Sequence, residues 1–345
     1  MSPNSGHNAR KQLAMLVFFS SGKTTTSEDC LYLNVSTPAY KNQTDMSTKE
    51  LPVLFWIYGE RFTGGSGDVK TYDGTSLAQK DIIVVTINYR LGPFGYLQAA
   101  LHWVNKNIQL FGGDPDQIIV GSQSAGSAIA LDVMWSPLAN GLVEGIIAKS
   151  CARGTHGPMT RTVATSYRIK AAAEKQGVEF PKEMNVKSIA QLRNVSMESL
   201  LEYDSLSDIV WQGTQLASLS RCATTHADIP ILTGNNKDES SASPDLRYTA
   251  SNYLKLYSNL FGDLSGEFFF LYPGANSTQA SESAKEFYRD LSRVGTWCWA
   301  VDWAAGGAKS NVYTYYFTHA PAENRDEGAY HGFELWYIFS NIPYA

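Results

Sequence analysis

The chain has 345 residues, 43% of them hydrophobic and 12% aromatic, with a formal net charge of −5. That length suits one large α/β domain or two smaller ones. The mild negative charge gives no reason to expect nucleic acid or an anionic membrane surface as a partner, and no apolar run reaches the roughly 20 residues of a membrane span, so stable membrane insertion is not expected.

In chain order, residues 1–26 are polar and Ser/Thr-rich apart from the apolar hexad Ala14-Met15-Leu16-Val17-Phe18-Phe19. The hexad follows Arg10 and Lys11 but is short for a signal-peptide core and lacks a clear cleavage site, so a buried strand or a ragged N-terminus is the simpler reading. Cys30 to Val35 alternates as a strand, and residues 39–50 are a polar loop. Pro52 to Ile57 is a second strand, followed by the glycine-rich turn Tyr58 to Asp68. Asp81 to Asn88 is a third, very apolar strand, and a helix is predicted from Leu97 to Leu110. Gly112-Gly113-Asp114-Pro115 marks a turn. Next comes a buried strand running into Gly121-Ser122-Gln123-Ser124-Ala125-Gly126, then helical content from Ser124 to Trp135, then a strand near Gly145 to Lys149. Residues 161–225 read as polar helices, a candidate cap over the site. Ile229 to Thr233 returns as a strand, followed by the turn Asn235-Asn236-Lys237-Asp238-Glu239. Residues 250–308 are mostly helical, with Trp297, Trp299 and Trp303 expected on one buried helix face. Val312 to Phe317 is a late strand, and a loop with His331 follows.

Strands alternating with helices argue for an α/β fold with a mostly parallel central sheet and helices on both faces. Such sheets carry their sites at the carboxyl ends of the strands. The turn after Ile57 and the turn at Ser124 both sit at such ends and are expected to meet in space.

The strand-turn-helix at Ser124 has the form of a nucleophile elbow, in which strained backbone lifts the serine hydroxyl clear of the sheet. Gly126 matches the G-x-S-x-G pattern, whereas Ser122 replaces its first glycine. A serine hydroxyl needs a base to take its proton, most often a histidine oriented by a carboxylate. Ser124, Glu239 and His331 occur in the order serine, acid, histidine that this geometry uses. Asp238 is an alternative acid, and His319 or His226 an alternative base. Cys30, Cys151, Cys222 and Cys298 include no C-x-x-C pair, which argues against a zinc or redox site and leaves zero, one or two disulfides open. Sequons at Asn34, Asn42, Asn194 and Asn276 permit glycosylation in a secreted protein.

Several stretches together resemble the type-B carboxylesterase and cholinesterase family. They are Ser27 to Val35 (SEDCLYLNV), Trp56 to Phe62 followed by Thr63-Gly64-Gly65-Ser66, Asp81 to Tyr96 ending NYRLGPFGY, Asn107 to Pro115 (NIQLFGGDP), the elbow, the acid loop Asn235 to Glu239, and Tyr330-His331-Gly332-Phe333-Glu334-Leu335. The resemblance implies an α/β-hydrolase fold, with residues 27–345 as a single catalytic domain and 1–26 as an N-terminal segment. It also implies a serine esterase acting on a small-molecule carboxylic ester without a metal or organic cofactor. Ser124 would attack, His331 would shuttle the proton and Glu239 would hold the imidazole. Secretion is a further expectation. By the same resemblance, the family's N-terminal strands and C-terminal helices are not represented here, and Cys30 matches one half of a family disulfide whose partner lies in that N-terminal part. Apolar surface and sheet edges that the family covers would then be exposed.

The departures from the family fall on the chemistry. Its oxyanion hole uses backbone N–H groups of a glycine triplet plus the residue after the serine. Here the triplet reads Gly59-Glu60-Arg61, so Glu60, Arg61 and Ala125 are the expected donors. Glu60 and Arg61 lack glycine's ease at positive φ. Losing one such donor costs about a hundred- to a thousandfold in rate. Gln123 stands where the family usually has glutamate. The alternatives to an active esterase are a catalytically dead cholinesterase-like binding protein and a truncated product.

Overall fold

A computed structural model describes residues 27, 29–39, 48–60, 64–90, 99–150, 170–201, 227–239, 242–322 and 325–342. Seven strands form one sheet in the order β1-β3-β2-β4-β5-β6-β7. They are β1 (Leu33–Ser36), β2 (Leu51–Ile57), β3 (Ile83–Ile87), β4 (Gly113–Gln123), β5 (Gly145–Lys149), β6 (Ile231–Asn236) and β7 (Val312–Phe317). β1 pairs antiparallel with β3, and every other pairing is parallel. All five residues of β3 are buried, which requires cover on both faces. This is why that strand reads as an unbroken β-branched run rather than an alternating one.

The chain runs outward from β2 to β3, then returns to place β4 on the other side of β2. The strand order therefore reverses between β2 and β4, and such a reversal opens a crevice at the carboxyl ends of the two strands. In register, Trp56 lies opposite Gly121 and Ile57 opposite Ser122, so the turns that leave both strands emerge side by side.

Three helices settle the site from behind: α1 (Ala99–Asn107), α2 (Ala125–Trp135) and the 29-residue α3 (Ser277–Ala305). α2 packs on β2, β4 and β5, and α3 packs on β6 and β7. The close fit of α2 requires Gly126, because a Cβ there would lie 2.3 Å from the Ile57 carbonyl oxygen and 2.5 Å from that of Tyr58. Of the stretch 161–225 read as a cap, residues 161–169 and 202–225 lie outside the described residues, and the helical segment α4 (Lys170–Glu183) lies in the remainder. Two further helices, α5 (Ala250–Phe261) and α6 (Ser265–Leu271), pack with α3 around an aromatic cluster of Tyr253, Tyr257, Phe261, Phe268 and Phe287. Among the described residues no helix is long and apolar enough to cross a membrane.

Several boundaries differ from the sequence reading. The predicted helix 97–110 is α1 followed by a 3-10 turn at Ile108–Phe111, with residues 97–98 outside the described residues. In the predicted turn 112–115, only Gly112 turns, at φ 85°; Gly113 already pairs with Leu51 at the start of β4. β6 extends through Asn236, because Asn235 donates to Ser292 O and Thr296 Oγ1 on α3 and so finds buried partners on the helix packed against the strand. The tryptophan face is also smaller than expected. Trp299 and Trp303 stack with centroids 5.7 Å apart, but Trp297 is 63% exposed. Positions 299 and 303 are one turn apart, whereas 297 points to the opposite side of a 3.6-residue helix. Leu260, Phe270 and Leu271 are open to solvent.

Candidate active site

β4 ends at Gln123, and α2 begins at Ala125. Ser124 lies between them at φ 56° and ψ −128°. This is the strained elbow that the sequence implies, with the serine preceding the helix rather than forming its first residue. The turn is tied to β5: the Ser124 amide and the Ser127 hydroxyl both donate to Lys149 O, at 2.8 and 2.7 Å. Ser122, the departure from the glycine pattern, is buried in β4, where its hydroxyl donates to Ile147 O at 3.0 Å. Its Cβ lies before the turn and is accommodated by the strand. Ala125 opens α2, so its N–H lacks an intrahelical acceptor and lies at the positive end of the helix dipole.

The acid and histidine loops leave the neighbouring strands β6 and β7 and are laced together. Asp238 N donates to Ala329 O at 3.0 Å, Ala329 N donates to Asp238 Oδ2 at 2.9 Å, and Asn236 Nδ2 donates to Tyr330 O at 2.6 Å. The lacing brings His331 Nδ1 into hydrogen-bond contact with Glu239 Oε2. The other Glu239 oxygen accepts the Asn236 amide at 2.9 Å. Burial pushes the Glu239 carboxyl up. His331, Ser150 and the Asn236 amide outweigh that push and hold it below the ordinary value. A carboxylate held ionised against Nδ1 keeps the proton there and leaves the lone pair on Nε2.

Asp238, the alternative acid, is engaged elsewhere: its Oδ1 accepts from Arg289 at 2.8 Å. His319, an alternative base, stacks on Phe333 and packs edge-on to Tyr337. His226 lies outside the described residues.

On the β2 side, Gly59 touches the elbow so closely that a Cβ would lie 2.9 Å from that of Ser124. Glu60 follows at φ 69°. The residue expected to resist the left-handed region therefore occupies it, at a cost on the order of 1–2 kcal/mol. Its side chain runs beside Gly65, and its charge is felt at Tyr72. Arg61 lies outside the described residues. The backbone of this turn is held by Tyr89, whose hydroxyl lies 2.8 Å from Tyr58 O and 3.0 Å from Gly59 O.

Some participants are not identifiable by residue type alone. Gln123 Nε2 lies 3.0 Å from His331 Nε2. Glu334 accepts from Asn236 Nδ2. Burial raises the Glu334 carboxyl, with the charge of buried Lys149 opposing. Lys149 sits 3.9 Å over the Tyr315 ring. Among the described residues no group of three or more His, Cys, Asp or Glu side chains gathers as a metal-ligand set.

A mostly parallel sheet with a nucleophile-elbow turn at its switch point, and an acid and a histidine on loops at its far strands, defines an α/β-hydrolase. The solved structure of a PNB esterase superposes with a TM-score of 0.71 at 28% identity, covering 99% of this chain and 72% of that one. The profile of the Carboxylesterase family matches residues 4–345, and the chain belongs to that family. It is 32% identical to para-nitrobenzyl esterase of Bacillus subtilis (strain 168), over 92% of this chain and 68% of that protein. It is 30% identical to fumonisin B1 esterase of Sphingopyxis macrogoltabida, again over 92% of this chain but only 62% of that protein's length.

Proposed function

We propose that this protein is a serine carboxylic-ester hydrolase acting through an acyl-enzyme, with residues 27–345 as one catalytic domain and 161–225 as its cap. Ser124 Oγ attacks the ester carbonyl carbon as His331 Nε2 takes its proton. Glu239 holds the imidazole and stabilises its charged form. The N–H groups of Glu60, Arg61 and Ala125 receive the oxyanion. Collapse of the tetrahedral intermediate breaks the C–O bond, and His331 returns the proton to the departing alcohol. Water, deprotonated by the same ring, then releases the acid.

The observation that carries this reading is the His331–Glu239 contact, made between residues 92 positions apart, with Gln123, the residue before the serine in the elbow conformation, against the same ring. The esterases named above support the ester as substrate class. A fluorophosphonate probe tests the proposal, because it requires an activated serine and an oxyanion pocket but no knowledge of the natural ester. Labelling that disappears in Ser124→Ala and after heat denaturation is expected. A cooperatively folded protein that does not label would overturn the hydrolase reading in favour of a non-catalytic binding relative.

A further inference from the structure

His331 has one lone pair to offer, and the structure gives it to an unexpected donor. With the Nδ1 proton committed to Glu239, neutral imidazole accepts only at Nε2. The group 3.0 Å from that nitrogen is Gln123 Nε2, which carries hydrogens and no lone pair to accept with. The contact is therefore an N–H of the carboxamide donating to the base. Gln123 is fully buried, and its backbone is fixed by pairing with Lys149 at the end of β4. Its Oε1 has no hydrogen-bond partner and faces Gly59, where an added Cβ would lie 3.4 Å away. The ring is thus the polar partner that orients the amide, and the amide lies between the base and the turn that carries the oxyanion donors.

We propose that Gln123 is a positioning residue that latches His331 Nε2 in a resting state, so that its amide and the Ser124 hydroxyl compete for one lone pair. The inference rests on the hydrolase reading above, in which Ser124 requires that nitrogen. Activation breaks the N–H to Nε2 hydrogen bond, turns the amide away and lets Ser124 Oγ–H take its place. No covalent bond changes in this step. Among the described residues, the charged groups coupled to the ring are Glu239 and Glu334 on the two loops. They are the same in every variant below.

Two near-isosteric variants test the latch. Gln123→Met keeps the length and removes the donor. It is expected to speed Ser124-dependent fluorophosphonate labelling by roughly three- to tenfold, the factor for one net hydrogen bond no longer broken. Gln123→Glu puts a carboxylate beside Nε2 and favours the imidazolium. It is expected to move the acid limb of the pH–rate profile upward by about one pH unit. A merely structural role would lower stability and labelling together and leave the acid limb in place. Gln123→Met labelling at or below the wild-type rate would overturn the latch, for it would mean that the amide turns over to support the charged ring. The ¹⁵N resonance of His331 Nε2 reports the contact whether or not esters are cleaved. Movement in Gln123→Met sustains the hold on the ring, and an unmoved resonance overturns it. Absence of labelling in the wild type and every variant would defeat the hydrolase reading alone, since the resonance still decides the contact.

Discussion

Two turns leave the sheet side by side, after β2 and after β4, and each holds a residue other than glycine at positive φ: Glu60 at 69° and Ser124 at 56°. The resemblance drawn from the sequence implies departures from a glycine pattern at Glu60 and Arg61 on the β2 side and at Ser122 on the β4 side. Arg61 lies outside the described residues, and Glu60 and Ser122 differ in kind. Ser122 lies before its turn, in extended backbone, where the hydroxyl finds Ile147 O and the side chain is fully enclosed. Glu60 lies in its turn, in backbone that favours glycine. What a departure costs depends on the φ of the position it falls on, and a motif alone does not separate these cases.

The largest test bears on the elbow. Ser124→Ala is expected to lower ester hydrolysis by at least about ten-thousandfold, measured as initial rate on a p-nitrophenyl ester, because the residues of such a site act as a unit. Gly126→Ala comes next, since its Cβ would press on two carbonyl oxygens of the β2 end. We expect a loss of about 3 kcal/mol in urea unfolding. Glycine placed at each of the two positions in turn separates these effects. Ser122→Gly is expected to destabilise by about 1–2 kcal/mol, losing a buried hydrogen bond and adding backbone entropy in a strand. Glu60→Gly is expected to stabilise by about 1 kcal/mol by relieving the left-handed strain. The same replacement at the two positions should therefore have opposite signs in thermal or urea melts, and equal signs would mean that φ does not set the cost.

The smallest effects are in pH dependence. Glu239 titrates below its ordinary value of 4.5 in the folded protein. The stability it contributes is fully present above the unfolded value and is lost as pH falls through the folded one. Glu334 is raised above 4.5, so its folded form binds the proton more tightly. Its contribution is present below the unfolded value and is lost as pH rises through the folded one. Urea melts across the carboxylate range are expected to show Glu239→Gln removing the acid-side decline and Glu334→Gln removing the opposite one.

Much of the fold was legible in the chain because buried parallel strands are written as continuous apolar runs. Leu51–Ile57 and Ile83–Ile87 coincide closely with the readings made from residue type. Boundaries were less legible where a polar residue finds its partner across the fold. Asn235 reads as a turn residue until Ser292 and Thr296 are beside it. Trp297 shares a near-helical spacing with Trp299 and Trp303 but not their face, because a residue two positions before Trp299 lies on the opposite side of the helix. At the site, Ser124 was legible from local backbone demands, whereas the contact of Gln123 with His331 spans 208 positions and has no local signature.

By itself the sequence determined the local conformations: the buried strands, the elbow, and the order of serine, acid and histidine along the chain. Propensity, glycine placement and hydrophobic pattern act over a few residues, so they can be read there. Tertiary structure sets Glu239 rather than Asp238 against His331, pairs Asp238 with Arg289 and lays Gln123 Nε2 against His331 Nε2. The first of these follows from the parallel pairing of β6 with β7, which sets two loops distant in sequence side by side; the others need α3 and the end of β4 brought against those loops.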